Sequence, residues 1–122
     1  MASATSDTRV EQHAHITTVA ISGDVDLDNL QGIAEVLTRV LSDPRSSAAV
    51  IDLSDLTFAD SMLLNQLLKT HVRHHAEGRP LRVAGPLNPG VGRLLQITGA
   101  DAVLDVVQDV GTALGELDPA ER

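Results

Sequence analysis

Strand-like and helix-like segments alternate along the 122 residues of the chain. That alternation predicts an α/β fold: one domain, with a mostly parallel mixed β-sheet packed against about four helices in the order β(β)αβαβαβα. Three observations carry the expectation. Short apolar or β-branched runs recur at residues 16–21, 48–53, 81–84 and 102–107, each of strand length. Between them, apolar residues return every three or four positions, the period of a helix with one buried face. Gly, Pro or Asp punctuates the junctions, where the chain must turn.

Each element has its own local reason. Residues 1–9 are small and polar and are expected to form a flexible tail, the domain proper spanning 10–117 and a second tail 118–122. Residues 10–22 read as strand, as one piece or as two short strands with a turn near 12–15. The run Ile16-Thr17-Thr18-Val19-Ala20-Ile21 is rich in β-branched side chains that suit a pleated surface. Gly23 and the acids Asp24, Asp26 and Asp28 end it. A helix follows on the stripe Leu27, Leu30, Ile33, Ala34, Leu37, Val40 and Leu41, capped by Asp26 or Asp28 and stopped by Asp43-Pro44.

The apolar run at 48–53 is expected as a buried central strand, followed by a loop over 54–61. Met62, Leu63, Leu64, Leu67, Leu68, His71 and Val72 outline a second helix that ends near Glu77-Gly78, with glycine in the left-handed position. Leu81-Arg82-Val83-Ala84 forms a further strand, closed by Gly85-Pro86. Pro89 opens a third helix on Val91, Leu94, Leu95 and Thr98, ending at Gly99. Residues 102–107 supply a last strand and 109–117 a final helix, weakened by Gly111 and Gly115.

Composition narrows function. Hydrophobic residues make up 43% of the chain, yet Phe58 is its single aromatic, so the core is built of Val, Ile, Leu and Ala. Without Trp or Tyr there is no stacking platform for nucleobases. Nine basic against 17 acidic residues give a formal charge of −8, which repels a polyanion, so no direct nucleic-acid binding is expected. The absence of Cys excludes disulfides and thiolate chemistry. No apolar run reaches the ~18–20 residues that span a bilayer, and the first residues carry neither a basic nor an apolar leader. A soluble cytoplasmic domain with no membrane insertion is the expectation.

Catalytic motifs are missing. Neither a Walker-type phosphate loop nor G-x-G-x-x-G occurs; Gly90-Val91-Gly92 lacks the third glycine and reads as a helix entry. There is no G-x-S-x-G turn for a hydrolase nucleophile. A small flavodoxin-like enzyme therefore lacks its cofactor loop, and the chain is read as a non-enzyme without cofactor. His71 and His75 have the spacing of two metal ligands on one helix face, but no H-E-x-x-H glutamate and no third ligand accompany them. With His74 they are read as surface or partly buried histidines, His74 and His75 towards the solvent end. Five bases (Lys69, Arg73, Arg79, Arg82, Arg93) and only Glu77 among acids fall between positions 69 and 93. That asymmetry is either an ordinary solvated face or the basic lobe of a docking surface.

The most informative stretch runs from the buried strand at 48–53 through the loop to Asp60-Ser61, which stand at a helix start. Two roles are open to Ser61. It can cap the first turn by accepting a backbone N–H, or present an exposed hydroxyl where a phosphate would meet free N–H groups and the positive end of the helix dipole.

The run Val50-Ile51-Asp52-Leu53-Ser54-Asp55-Leu56-Thr57-Phe58-Ala59-Asp60-Ser61 closely resembles the hallmark of the STAS domain family, especially the bacterial anti-sigma factor antagonists. Ile21-Ser22-Gly23-Asp24-Val25-Asp26 resembles the family's acidic turn before the first helix. The segment from Val91 to Ala100 resembles its V-x-R-[LV]-[LF]-x-[LIM]-[ST]-G-[LA] helix. All three come in family order and spacing. The resemblance implies a protein that binds an anti-sigma factor, itself a serine kinase of the histidine-kinase ATPase type, and so frees a sigma factor. Phosphorylation of the helix-start serine breaks that complex, and a PP2C-type phosphatase restores it. Carried over, Ser61 is the phosphoacceptor, and the expected partner surface comprises Asp24, Asp26, Asp60, Ser61, Met62 and Asn65. Met62 and Leu63 depart from the family's usual Ser/Thr-Gly. A STAS scaffold that binds a protein or an apolar ligand without phosphorylation is the alternative. Phe58, just before the site, is expected to pack under the second helix.

Overall fold

In the computed structural model, residues 6–118 are described. The β-branched run becomes the inner strand of a hairpin: β1 (Ser6–His13) and β2 (Ile16–Asp24) pair antiparallel from Ser6↔Gly23 to His13↔Ile16. Ala14 and His15 form the turn, with Ala14 at a φ of 55°. The expected N-terminal tail is corrected at its inner end, because residues 6–9 belong to β1. Their polar side chains suit an edge strand, where ladder bonds to β2 outweigh low apolarity. Residues 1–5 and 119–122 of the expected tails lie outside the described residues.

From β2 onward strands and helices alternate, except that β3 runs into β4 through a short turn: α1 (Leu27–Ser42), β3 (Ala48–Asp52), β4 (Leu56–Phe58), α2 (Ser61–Ala76), β5 (Leu81–Ala84), α3 (Pro89–Thr98), β6 (Val106–Val107) and α4 (Val110–Leu117). The sheet order is β1-β2-β3-β5-β6, parallel except for β1, with β4 pairing only β2. The helix ends follow the local signals. Asp26 caps α1, accepting from Asp28 and Asn29 N–H, while Asn29 accepts from the Asp26 N–H. Asn88 and Pro89 open α3, and Gly78 and Gly99 take the left-handed conformation (φ 68° and 80°) just past α2 and α3.

The alternation of β3 divides the interior. Ala49 and Ile51 join Val19, Ile21, Ile33, Leu37, Leu67 and Val83 in the core under α1–α3. Ala48 and Val50 join Ile16, Ala84, Ala113 and Leu117 beneath α4. A strand buried on both faces reads as a continuous apolar run, as 48–53 does. Two expectations are corrected. The loop expected over 54–61 contains β4. The last strand is only Val106–Val107, because Gly99 leads into a 3-10 turn over Ala100–Ala102, tied by Leu104 N–H to the Ala100 carbonyl at 2.8 Å.

On α2 the buried face is Leu63, Leu64, Leu67, Thr70 and His74, whereas Met62 and Val72 are exposed. His74 stands seven residues after Leu67, two helical turns on, so it falls in the core stripe and not at a solvent end. Leu27, which the sequence placed on the α1 stripe, has a side chain outside the described residues. His74 is 2% exposed, and its Nδ1 has no hydrogen-bond partner. Burial pushes its imidazole pKa below the ordinary 6.5. The unfolded chain therefore takes up this proton first as pH falls. The stability that a neutral His74 supports is complete above about pH 6.5 and is lost as pH drops towards the lower folded value. His74→Leu should flatten this part of the profile. Urea midpoints of the two proteins between pH 7.5 and 5 check it, and parallel curves would contradict it.

Arg79 ties the α2–β5 connection to the end of α1. Its Nη1 donates to the Leu41 carbonyl, to Asp43 O at 3.3 Å and to Ser46 O at 3.1 Å. These carbonyls lie at and just beyond a helix C-terminus, where a cation is favoured. Arg79→Met keeps the apolar stem and deletes the donors, and should cost about 1.5–3 kcal/mol. Denaturation in urea measures it; a loss below ~0.5 kcal/mol would mean that water serves those carbonyls as well.

Candidate partner-binding site at the start of the second helix

The end of β2 and the segment 53–60 are knitted together by backbone. Gly23 N–H donates to Asp55 O at 3.0 Å and Val25 N–H to Phe58 O at 2.9 Å. Gly23 pairs with Leu56 and Asp24 with Phe58, with a register shift between the two pairs. The Thr57 hydroxyl donates to Asp24 Oδ1. Asn29 Nδ2 donates to the Asp24 carbonyl at 3.2 Å, which ties this turn to α1. The site therefore stands on a strand end and on the starts of two helices.

Asp60, and not Ser61, caps α2: its Oδ1 accepts from Met62 N–H at 2.9 Å and Leu63 N–H at 3.3 Å. Ser61 is the first helical residue and is exposed. This separates the two roles left open by the sequence. The carboxylate holds the helix end, and Ser61 is left exposed beside it. Asn65 lies four residues on, on the same exposed ridge of α2. Leu63 is 1% exposed and belongs to the core, so the residue that departs from the family's glycine adds no bulk to the surface.

The expected burial of Phe58 is overturned: it is 55% exposed, and Met62 is 45% exposed. Leu56, the first residue of β4, is the one that turns inward. The register shift beside Asp24 breaks the simple two-residue alternation that would return Phe58 to the same side. Exposed apolar residues thus stand on both sides of Ser61 along the chain, Phe58 at the end of β4 and Met62 on α2. Sequence reasoning missed this rim, as well as β4; the signal for β4 was Leu56-Thr57-Phe58, three residues suited to a strand.

Of the expected residues, Asp60, Ser61, Met62 and Asn65 share the first turns of α2, and Asp24 is attached through Thr57. Asp26 is engaged in the α1 cap, and its contacts are to Asp28 and Asn29. His71 and His75 stack with ring centroids 6.4 Å apart on α2. Among the described residues no three metal-ligating side chains cluster, and no helix is long and apolar enough to cross a membrane.

The sequence matches the family model of the STAS domain over residues 7–113. An anti-sigma factor antagonist from Mycobacterium paratuberculosis superposes with a TM-score of 0.82 at 25% identity, covering 92% of this chain and 93% of that one. A putative anti-sigma factor antagonist from Thermotoga maritima gives 0.77 at 17% identity, over 90% and 93%. The Bacillus cell fate determinant SpoIIAA in its phosphorylated form gives 0.71 at 12% identity, over 92% and 100%. No curated protein matches the sequence significantly.

Proposed function

The chain belongs to the STAS domain family, and on that premise we propose that it is an anti-sigma factor antagonist switched off by phosphorylation of Ser61. It binds a cytoplasmic anti-sigma factor that is also a serine kinase of the histidine-kinase ATPase type, and the binding releases a sigma factor. A PP2C-type phosphatase returns the chain to its binding state. The chain acts as a binding module and not as an enzyme.

The observation that carries this reading is the division of labour at the start of α2. Asp60 already caps the helix, so the exposed Ser61 hydroxyl is available to a kinase without loss of the cap. Asp24, Asp60, Met62 and Asn65 complete the proposed contact surface, and Asp26 caps α1. The 25% identical antagonist of the same fold supports the partner class.

The test begins with immobilised Ser61→Ala chain and lysate from its own source. Retention of an ATPase of this type, followed by transfer of phosphate from ATP to Ser61 of the wild type, is the expected result. Retention of a partner that never modifies Ser61 would favour the scaffold reading, in which the exposed Phe58 and Met62 dock without a phosphate switch.

A further inference from the structure

Arg39 on α1 is 30 residues from Lys69 and 34 from Arg73 on α2, but packing of α1 against α2 brings all three to the wall of one groove of about 550 Å³. None of them makes a salt bridge among the described residues, although Glu35 lines the same groove. Among the other described arginines, Arg9, Arg45 and Arg82 pair with carboxylates and Arg79 with carbonyls, while Arg93 stands apart on α3. Two amide side chains, Gln31 and Gln66, add donors to the groove. We propose that this α1–α2 groove is a second docking surface, which takes an acidic segment of the same protein partner that meets Ser61.

Charge and continuity argue for that occupant. The chain carries a formal charge of −8, so its surface on average repels an acidic segment. A cluster of unpaired cations is the place where such a segment gains by binding, and it fixes the orientation of the partner as well as its affinity. The groove is also continuous with the Ser61 site. Ser61, Asn65, Lys69 and Arg73 are four apart on α2 and all exposed. They form one ridge about 18 Å long at ~1.5 Å per residue, within the span of an ordinary protein–protein interface. The proposal rests on the reading above only in identifying the two partners as one.

The groove can be tested without that partner. Isotope-labelled chain is titrated with a deca-glutamate peptide in 150 mM salt, and amide shifts are followed by NMR, with deca-glutamine as the control. Saturable shifts centred on Gln31, Arg39, Gln66, Lys69 and Arg73 are expected, absent with deca-glutamine. The exposed triple variant Arg39→Gln, Lys69→Gln, Arg73→Gln should bind at least about tenfold more weakly while keeping the wild-type circular dichroism spectrum, and Ser61→Asp should bind as wild type does. Shifts scattered over all cations, or no saturation, would overturn the proposal. So would pyrophosphate binding at this groove more tightly than the peptide, since the groove would then be a small-anion site. Failure here with intact phosphate transfer to Ser61 removes the groove alone; groove binding without that transfer removes the switch alone.

Discussion

Phosphorylated Ser61 should weaken the complex with the proposed anti-sigma kinase by about a hundredfold or more, while the stability of the chain changes by no more than ~1 kcal/mol. The two effects separate because of where the hydroxyl stands. Ser61 is exposed at the first residue of α2, so the modification displaces no core side chain. It adds about −1.5 to −2 charges at pH 7. The positive end of the helix dipole favours that charge, and the neighbouring Asp60 carboxylate opposes it. Within the free chain these influences offset each other in water. In a complex they do not. A partner surface fitted to a neutral hydroxyl must strip water from a dianion beside the Asp60 carboxylate, at a cost of several kcal/mol.

Calorimetric titration of the two forms against the kinase, together with urea denaturation of each, measures both quantities. Ser61→Ala should bind throughout and lose little stability, because the cap belongs to Asp60. Asp60→Ala, in contrast, should cost about 1 kcal/mol through the cap. Equal affinities for the phosphorylated and unmodified chains would remove Ser61 as a switch.

Phe58→Ala should lower partner affinity about thirtyfold or more, roughly 2 kcal/mol, and cost less than ~1 kcal/mol of stability. The expectation follows from exposure. A buried phenylalanine typically costs ~3–5 kcal/mol on truncation, but this ring is 55% exposed and has little cavity to leave. A ring that reaches solvent beside Ser61 gains its burial only when a partner covers it, and aromatic anchors commonly dominate interfaces. Met62, the residue after Ser61, is a second exposed apolar side chain. Binding and denaturation of the variant separate the alternatives. A stability loss near 3 kcal/mol with unchanged affinity would return Phe58 to a core role.

Local chemistry determined much of the architecture. The β-branched run at 16–21 and the apolar run at 48–53 have the composition and length of strands, and both form them. Helix periodicity on Ile33, Leu37 and Val40 and on Leu63, Leu64 and Leu67 left one face for the sheet. Asp26, Pro89, Gly78 and Gly99 marked helix ends through interactions with their own neighbours in sequence. The resemblance around Asp60-Ser61 pointed to the site for the same reason: strand, turn and helix start are contiguous in the chain.

Only the tertiary structure decided the rest, because it depends on pairing between distant segments. Residues 6–9 are too polar to announce a strand, yet β2 supplies their ladder partners. β4 exists because Leu56 and Phe58 meet Gly23 and Asp24. The same register shift leaves Phe58 outside the core, against the ordinary preference of an aromatic ring for burial. His74 looked like one of three histidines near a helix end; its spacing of seven from Leu67 was legible, but only packing decided that the face is covered as far as His74. The sequence left Ser61 open to a capping role, and the structure gives the cap to the Asp60 carboxylate. Apolar pattern and caps are written over a few residues. Which strand lies alongside, and therefore which side chain is covered, is set by the closure of the whole sheet.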